Sequence, residues 1–413
     1  MFRKIIVILI VASISFHSIV PLSIKLHNTS YPQLGSLELT TKNQSDAELP
    51  LFKNFPELQK KLPHVTLGNF PTPIKKLENL EKMIGAKSLY FKDDGVSSKP
   101  VGGNKIRKLE FLFGHALTHG ATTVITSGDV GSNHALATIS CAKKLGLRGV
   151  SALTPQLNTK YLHRNILMTK YLGGEILYRD SDEKKYSAVL SLCKELHERE
   201  GKYPYFIPVG GSNALGTIGF VNAAFELKKQ IEKGIMPEPD YIYVTLGSAG
   251  TSAGLILGAK LAGIKSTIIP VRISGTEIWK KNLLANTFIE TNLLLHKLDK
   301  SCPLLIDEIN ETDILHDFAG TGYAKTTKES SDAITLLHET EQIKLEGTYT
   351  GKAFAGMLHD IETKQIKDKV VLFWNTFCYG TFDNIFEKVG YKTLPKELHH
   401  YFEEELQKFD MGV

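Results

Sequence analysis

Lys105 and Lys108 stand three residues apart in the stretch Gly102-Gly103-Asn104-Lys105-Ile106-Arg107-Lys108-Leu109-Glu110. The glycine pair permits a tight turn. Leu109, Leu112, Phe113, Ala116 and Leu117 follow at helical spacing. Both amines therefore share a face at the start of a helix, with Cβ atoms about 5–6 Å apart. Cations there oppose the macrodipole, and an anion held between them would compensate. The neighbouring charge and the helix field also depress a lysine pKa, which favours the nucleophilic free base. A solvated basic helix start is the plainer reading of the same residues.

Two further stretches run from strand patterns through loops into helix patterns. Ser127-Gly-Asp-Val-Gly-Ser132-Asn133-His134 places Ser132 and Asn133 where they can hold a carboxylate or a phenolate. Ordinary N-capping explains them as well. Thr245-Leu-Gly-Ser248-Ala249-Gly250-Thr251-Ser252-Ala-Gly254 has small residues that let backbone close around an anion, with hydroxyl donors beside it. It lacks the P-loop lysine and the GxGxxG spacing, so ATP and NAD fit poorly. An ordinary strand-to-helix turn is the alternative. Gly347-Thr-Tyr349-Thr350-Gly351-Lys352 imitates a phosphate loop but is one residue short between its glycines. A lysine at a helix start, a phosphate cup and no metal motif together suggest pyridoxal 5′-phosphate, which needs a Schiff-base lysine, a dianion cradle and a partner for its ring nitrogen.

The elements that must position these residues alternate. Strands are expected at Thr122–Thr126, Gly149–Leu153, Tyr241–Thr245, Ser266–Ile273 and Val370–Trp374, and helices at Ala135–Leu145 and Ala253–Ala262. Such alternation with apolar strands predicts an α/β fold with mostly parallel sheets and ligands at the carboxyl ends of the strands. Asn282–Asp317 shows no clear pattern and reads as an insertion. Pro395–Phe409 reads as a terminal helix. The 413 residues, 42% hydrophobic and 23% charged, exclude wholesale disorder and leave ample room for a core. The net charge of +5 comes from interleaved signs without a basic-aromatic run, so nucleic acid is not an expected partner. Four dispersed cysteines without a CxxC argue against a zinc or redox site.

Met1-Phe-Arg-Lys4 precedes an uncharged apolar block, Ile5–Ser15. This is the pattern of a secretory signal peptide. An uncleaved membrane tether through residues 5–24 is the alternative, as is a buried helix. The expected location is therefore exported or membrane-anchored, and cytoplasmic if the segment does not act as a signal. Residues 25–50 are polar and read as a linker.

In this order the motifs resemble the 1-aminocyclopropane-1-carboxylate deaminase / D-cysteine desulfhydrase family, within the tryptophan-synthase-β type (fold type II) of PLP enzymes. The resemblance runs from about residue 60 to 390. It rests on Leu67-Gly-Asn-Phe-Pro-Thr-Pro-Ile74, on GGNKIRKLE at 102–110, on Pro208-Val-Gly-Gly-Ser-Asn-Ala-Leu-Gly216, on the 248–254 loop and on Tyr349–Ala353. It implies a two-domain α/β body. A larger domain would span 50–104 and 211–413, with a smaller one, 105–210, inserted and the cofactor between them. It also implies a homodimer. Lys105 would bind the cofactor covalently and Lys108 would touch its phosphate. Asn133 would bond the ring oxygen, and Ser132 would receive the substrate carboxylate or act beside it. Ser248, Ala249, Gly250 and Thr251 would cup the phosphate. Tyr323 and Tyr349 would line the substrate side, and Thr350 would face the ring nitrogen. Cyclopropane deaminases are similar at that last position but carry Glu. A neutral Thr is a weaker partner and suits α,β-elimination of a good leaving group.

The implied activity is D-cysteine desulfhydrase-like: pyruvate, hydrogen sulfide and ammonia from D-cysteine. Cyclopropane deamination, another ammonia-lyase activity, a PLP-binding protein without turnover and a nucleotide-binding module are the alternatives. The chain departs from the family where Phe91-Lys-Asp-Asp-Gly95 lacks the usual Arg-Asp pair. It departs again where Asn375-Thr-Phe377-Cys378 replaces the late HTGG turn.

Overall fold

The computed structural model describes residues 49–275, 282–305, 309, 313–380 and 388–410. The apolar block at 5–15 and nearly all of the expected linker lie outside the described residues. Leu49, assigned to that linker, is buried, and Pro50 opens helix α1 (Pro50–Asn54), followed by α2 (Pro56–Lys61).

Nine strands occur among the described residues: β1 (Ile74–Lys76), β2 (Ser88–Asp93), β3 (Thr123–Asp129), β4 (Arg148–Thr154), β5 (Glu175–Tyr178), β6 (Tyr205–Ile207), β7 (Tyr241–Leu246), β8 (Thr267–Arg272) and β9 (Val370–Asn375). They form two sheets. One has the order β1-β2-β9-β7-β8 and is parallel apart from the antiparallel β1. The other, β5-β4-β3-β6, is parallel throughout.

The helices flanking them are α3 (Glu78–Ile84), α4 (Lys105–Thr118), α5 (Asn133–Lys144), α6 (Lys160–Tyr171), α7 (Asp182–Glu200), α8 (Ala214–Glu232), α9 (Gly250–Ala262), α10 (Leu283–Leu298), α11 (Lys328–Glu341) and α12 (Thr350–Thr363).

Strand β9 shows why the strands read as unbroken apolar runs. Successive side chains point to opposite faces, and both faces are covered. Val371 and Phe373 pack with Phe354 and Leu337 from α12 and α11. Leu372 and Trp374 pack with Phe220 and Leu255 from α8 and α9. Helices α8 and α9 approach closely because Gly254 has no side chain. A Cβ there would lie 2.5 Å from Phe220 Cβ and 2.6 Å from the Thr217 carbonyl oxygen.

Two expectations are corrected. The supposed insertion at 282–317 contains α10, a core helix. Its Leu284, Phe288 and Leu295 are fully buried against α8, α9 and the opening helices. The helical spacing of these three is diluted by Leu283, Ile289, Leu293 and Leu294, apolar residues on the less buried sides of the same helix. The tail 395–409 is not one helix. It is a 3₁₀ turn, Lys396–Leu398, a short helix, His400–Glu403, and an irregular run to Asp410. Tertiary contacts override its helical propensity. Leu398 and Tyr401 are buried against Val130, Leu153, Leu162 and Ile166 beside the four-stranded sheet.

Candidate active site

The chemistry-bearing residues gather at the carboxyl ends of the parallel strands. The loop after β3 carries Ser132 and leads into Asn133, the first residue of α5; the loop after β7 carries Ser248 and Ala249 and leads into Gly250, the first of α9; and the segment after β9 carries Thr376 to Cys378. Helix α4 begins among them, with Lys105 as its first residue.

Lys105 lines a small pocket together with Gly103, Asn104, Asn133, Arg164, Thr376 and Cys378. Burial pulls its amine down to about 8, so a useful fraction is free base near neutral pH. Across the pocket, Asn133 Oδ1 accepts a hydrogen bond from Asn165 Nδ2 at 2.8 Å. That bond orients the Asn133 amide and presents its NH₂ as a donor. Ser132 does what a plain cap does: its Oγ accepts from Ala135 N at 3.1 Å and closes the first turn of α5.

One turn along α4, Lys108 points elsewhere. Its Nζ donates to Ser212 Oγ at 2.9 Å and to the Gly210 carbonyl at 3.2 Å. Burial, then the charge of Lys105, holds this amine well below the ordinary lysine value. Ser212 and Ser248 hydroxyls are 2.8 Å apart. The Thr217 hydroxyl is buried with no hydrogen-bond partner among the described residues.

Gly250 locates the centre of this group. A Cβ there would sit 2.7 Å from Ser212 Oγ, 2.9 Å from Lys108 Nζ and 3.0 Å from Thr217 Oγ1. A cation, three hydroxyls and the first amides of α9 thus converge on a cradle kept open by a missing side chain. These donors and this charge fit a phosphate monoester dianion. Ala249 caps α9 with φ of 64°, a left-handed conformation that costs a non-glycine residue about 1 kcal/mol or more and is kept here to shape the bend. Thr251 Oγ1 accepts from Asn104 Nδ2 at 2.9 Å, tying the cradle to the lysine pocket.

The remaining expected residues form a second group. Tyr323 and Tyr349 hydrogen-bond through their hydroxyls, and burial raises both phenols well above the ordinary value. The Tyr349 ring approaches the Gly247 end of the cradle loop. Thr350 is buried with its hydroxyl engaged by Glu346: Oγ1 lies 3.1 Å from Glu346 Oε1 and accepts from Glu346 N at 3.2 Å. The Glu346 carboxylate also accepts backbone N–H groups from Thr348, Tyr349 and Thr350. Burial nonetheless pushes its pKa up.

Beneath the pocket, Arg107 anchors α4. It donates to Asp94 from Nε at 2.9 Å and Nη2 at 2.8 Å, and to Glu226 from Nη1 at 2.8 Å and Nη2 at 2.9 Å. Lys92, in the Phe91–Gly95 stretch, donates to Glu226 at 2.6 Å and to Gln230 at 2.8 Å. Trp374 Nε1 donates to Asp94 at 2.9 Å. Burial opposes the charge of Glu226, yet Arg107 and Lys92 hold it at about 2.

Sequence reasoning missed Ser212, Thr217, Asn165 and Arg164. The first two lie within or just beyond the Pro208–Gly216 stretch, whose glycines hinted at close backbone approach. The other two sit inside an ordinary helix pattern and carry no local signal.

Residues 65–376 match the family model described as "Pyridoxal-phosphate dependent enzyme". A protein of Pyrococcus horikoshii, provisionally named 1-aminocyclopropane-1-carboxylate deaminase, is 36% identical over 325 residues, covering 78% of this chain and 94% of that one. D-cysteine desulfhydrase of Klebsiella pneumoniae is 34% identical over 321 residues, covering 76% and 94%. Among solved structures, an ACC deaminase homologue superimposes with a TM-score of 0.68 at 32% identity, covering 84% of this chain and 99% of the other.

Proposed function

The chain belongs to the pyridoxal-phosphate dependent enzymes, and from that premise we propose that it catalyses α,β-elimination on a small amino acid, with D-cysteine as the type substrate. Its architecture is fold type II and its cofactor is pyridoxal 5′-phosphate. The observation that carries the reading is the division of labour along one turn of α4. Lys105 opens into a pocket, while Lys108 turns into the cradle around Gly250.

When bound, the cofactor supplies an electron sink for charge developing at the substrate Cα. The protein supplies the rest. Lys108, Ser212, Ser248 and the amides of α9 would hold its phosphate. Asn133, its amide oriented by Asn165, would donate to the ring oxygen. The N-terminus of α5 offers a seat for the substrate carboxylate. The Lys105 amine, with a pKa near 8, takes the α-proton. The β-substituent departs with its electron pair, and uptake of water leaves pyruvate and ammonia. A neutral Thr350 on the ring-nitrogen side, its hydroxyl held by Glu346, supports elimination over ring opening. Cyclopropane deamination is the second reading, favoured by the names of the archaeal relatives.

Purified protein should show the yellow absorbance of lysine-bound cofactor and release pyruvate from D-cysteine. Release of α-ketobutyrate from the cyclopropane amino acid, without pyruvate from D-cysteine, would favour the second reading. Lys105→Ala should abolish both colour and turnover, and full turnover by that variant would refute the assignment.

We further propose the domain division at residues 105 and 210, a homodimer, and export or tethering through residues 1–24. N-terminal sequencing and sedimentation of the purified protein test the last two.

A further inference from the structure

Lys352, the lysine of the stretch that imitates a phosphate loop, is fully buried in the first turn of α12 and grips backbone instead. Its Nζ donates to the carbonyls of Ala319 at 2.7 Å, Ile273 at 3.0 Å and Gly322 at 3.3 Å. A neutral amine has two N–H groups and would turn its lone pair on the third carbonyl, so these acceptors together hold the ammonium form. Ile273 follows β8, and its side chain reaches 3.7 Å from where a Cβ on Gly247 would stand, in the cradle loop. Ala319 and Gly322 lie between residues 316 and 327, a run that forms no helix or strand. Buried carbonyls in such a run need partners from elsewhere. One end of it is fixed where Arg272 N donates to the Leu315 carbonyl at 2.9 Å, and the other where Thr327 caps α11. Between those ends, Lys352 holds the turn that leads directly into Tyr323. The Tyr323 hydroxyl meets that of Tyr349, three residues before Lys352 in sequence. The Tyr349 ring in turn lies 4.0 Å from the Gly247 Cβ position.

We propose that Lys352 is a positioning residue for substrate binding: its ammonium fixes residues 319–322 and so sets the Tyr323 hydroxyl against Tyr349 on the substrate side of the site. This rests on the reading of the site as one for a small amino acid, and adds to it a residue that never touches the substrate. The cofactor's seat is held by other means. Lys108, Ser212 and Ser248 bond to one another, and Arg107 anchors α4 beneath Lys105. Loss of the ammonium therefore falls on the amino acid and spares the cofactor, whereas a lysine that merely fills the interior would loosen both alike.

The test uses Lys352→Met in the holoenzyme, a change that keeps the side chain's length and removes its donors. Two affinities are read from cofactor absorbance: retention of pyridoxal phosphate on dialysis, and binding of alanine, both enantiomers, an amino acid with no leaving group. Alanine binding should weaken about tenfold, as loss of a positioned hydrogen bond predicts, while cofactor retention changes by less than about threefold. Tyr323→Phe should weaken alanine binding to a similar degree. Combining the two should cost little more than either, because a residue that acts only through Tyr323 is not additive with it. Weakening below about threefold, an equal loss of cofactor, or full additivity overturns the proposal. If Lys352→Met does not fold, Lys352→Gln, which keeps two N–H donors, is judged on the same three readouts. Wild-type holoenzyme that binds neither enantiomer also overturns it. Absence of pyruvate from every β-substituted substrate, with alanine binding weakened as expected, would count against the elimination reading alone.

Discussion

At the scale of single residues, the two lysines of α4 show how one side-chain type is given two tasks. Both lie at a helix start, both are depressed by burial, and their end groups diverge by one turn. The value near 8 for Lys105 sets a pH dependence. Below about 8 the free-base fraction falls tenfold per pH unit. The rate at which pyridoxal phosphate labels apoprotein should therefore rise with pH and level off above about 8, as followed by absorbance. A flat profile between pH 6 and 9 would mean that the amine is not depressed. Lys108→Met removes the cradle's charge, so cofactor should dissociate about 10- to 100-fold more readily on dialysis, with little change in fold. The lysine pair was legible in the sequence because helical spacing puts both on one face. Its partners Ser212 and Thr217 were not, because they arrive from a segment about a hundred positions away.

At the scale of elements, α4 must be held rigidly for Lys105 to meet the pocket, and the Arg107–Asp94–Glu226–Lys92 network does this in the interior. Removing one partner strands buried charge, which costs about 3–5 kcal/mol. Arg107→Met should lower stability by roughly that amount in denaturant titration. Glu226 adds an acid limb. Its carboxyl is near 2 in the folded chain and near 4.5 unfolded, so between those values the unfolded state binds more protons. Its stabilisation is complete above about pH 4.5 and is lost as pH falls towards 2. Glu226→Gln should flatten that limb in denaturation midpoints measured from pH 6 to pH 3. The bend before α9 makes a separate prediction. Gly250→Ala places a methyl group inside the cradle, so the apoprotein should fold normally but fail to retain cofactor.

At the scale of the whole molecule, the tail after residue 388 runs from beside the four-stranded sheet to the loop that precedes α11. Tyr401 is buried beside α6, with its hydroxyl bonded to the backbone of Gln156. Gln407 bonds Ala324 and Thr326, next to Tyr323. The tail therefore ties the four-stranded sheet to the segment carrying Tyr323. Tyr401→Ala should cost about 3 kcal/mol and expose residues 389–410 to proteolysis ahead of the sheets. An unchanged cleavage pattern would show that the tail is not a structural strap.

The amino-acid order alone determined the α/β alternation, the lysine at a helix start and the small-residue bend, since each is written in spacing over a few turns or strands. Two stretches it left unread or misread: in α10 the exposed Leu293 interrupts the polar face of Asn286, Glu290 and Lys297, and the tail took its shape from what it covers. Only the tertiary structure brought Ser212 and Thr217 to Lys108, and Arg164 to Phe377 and Cys378. Those meetings depend on strand order and on how closely α8 packs against α4 and α9, and no local period records either.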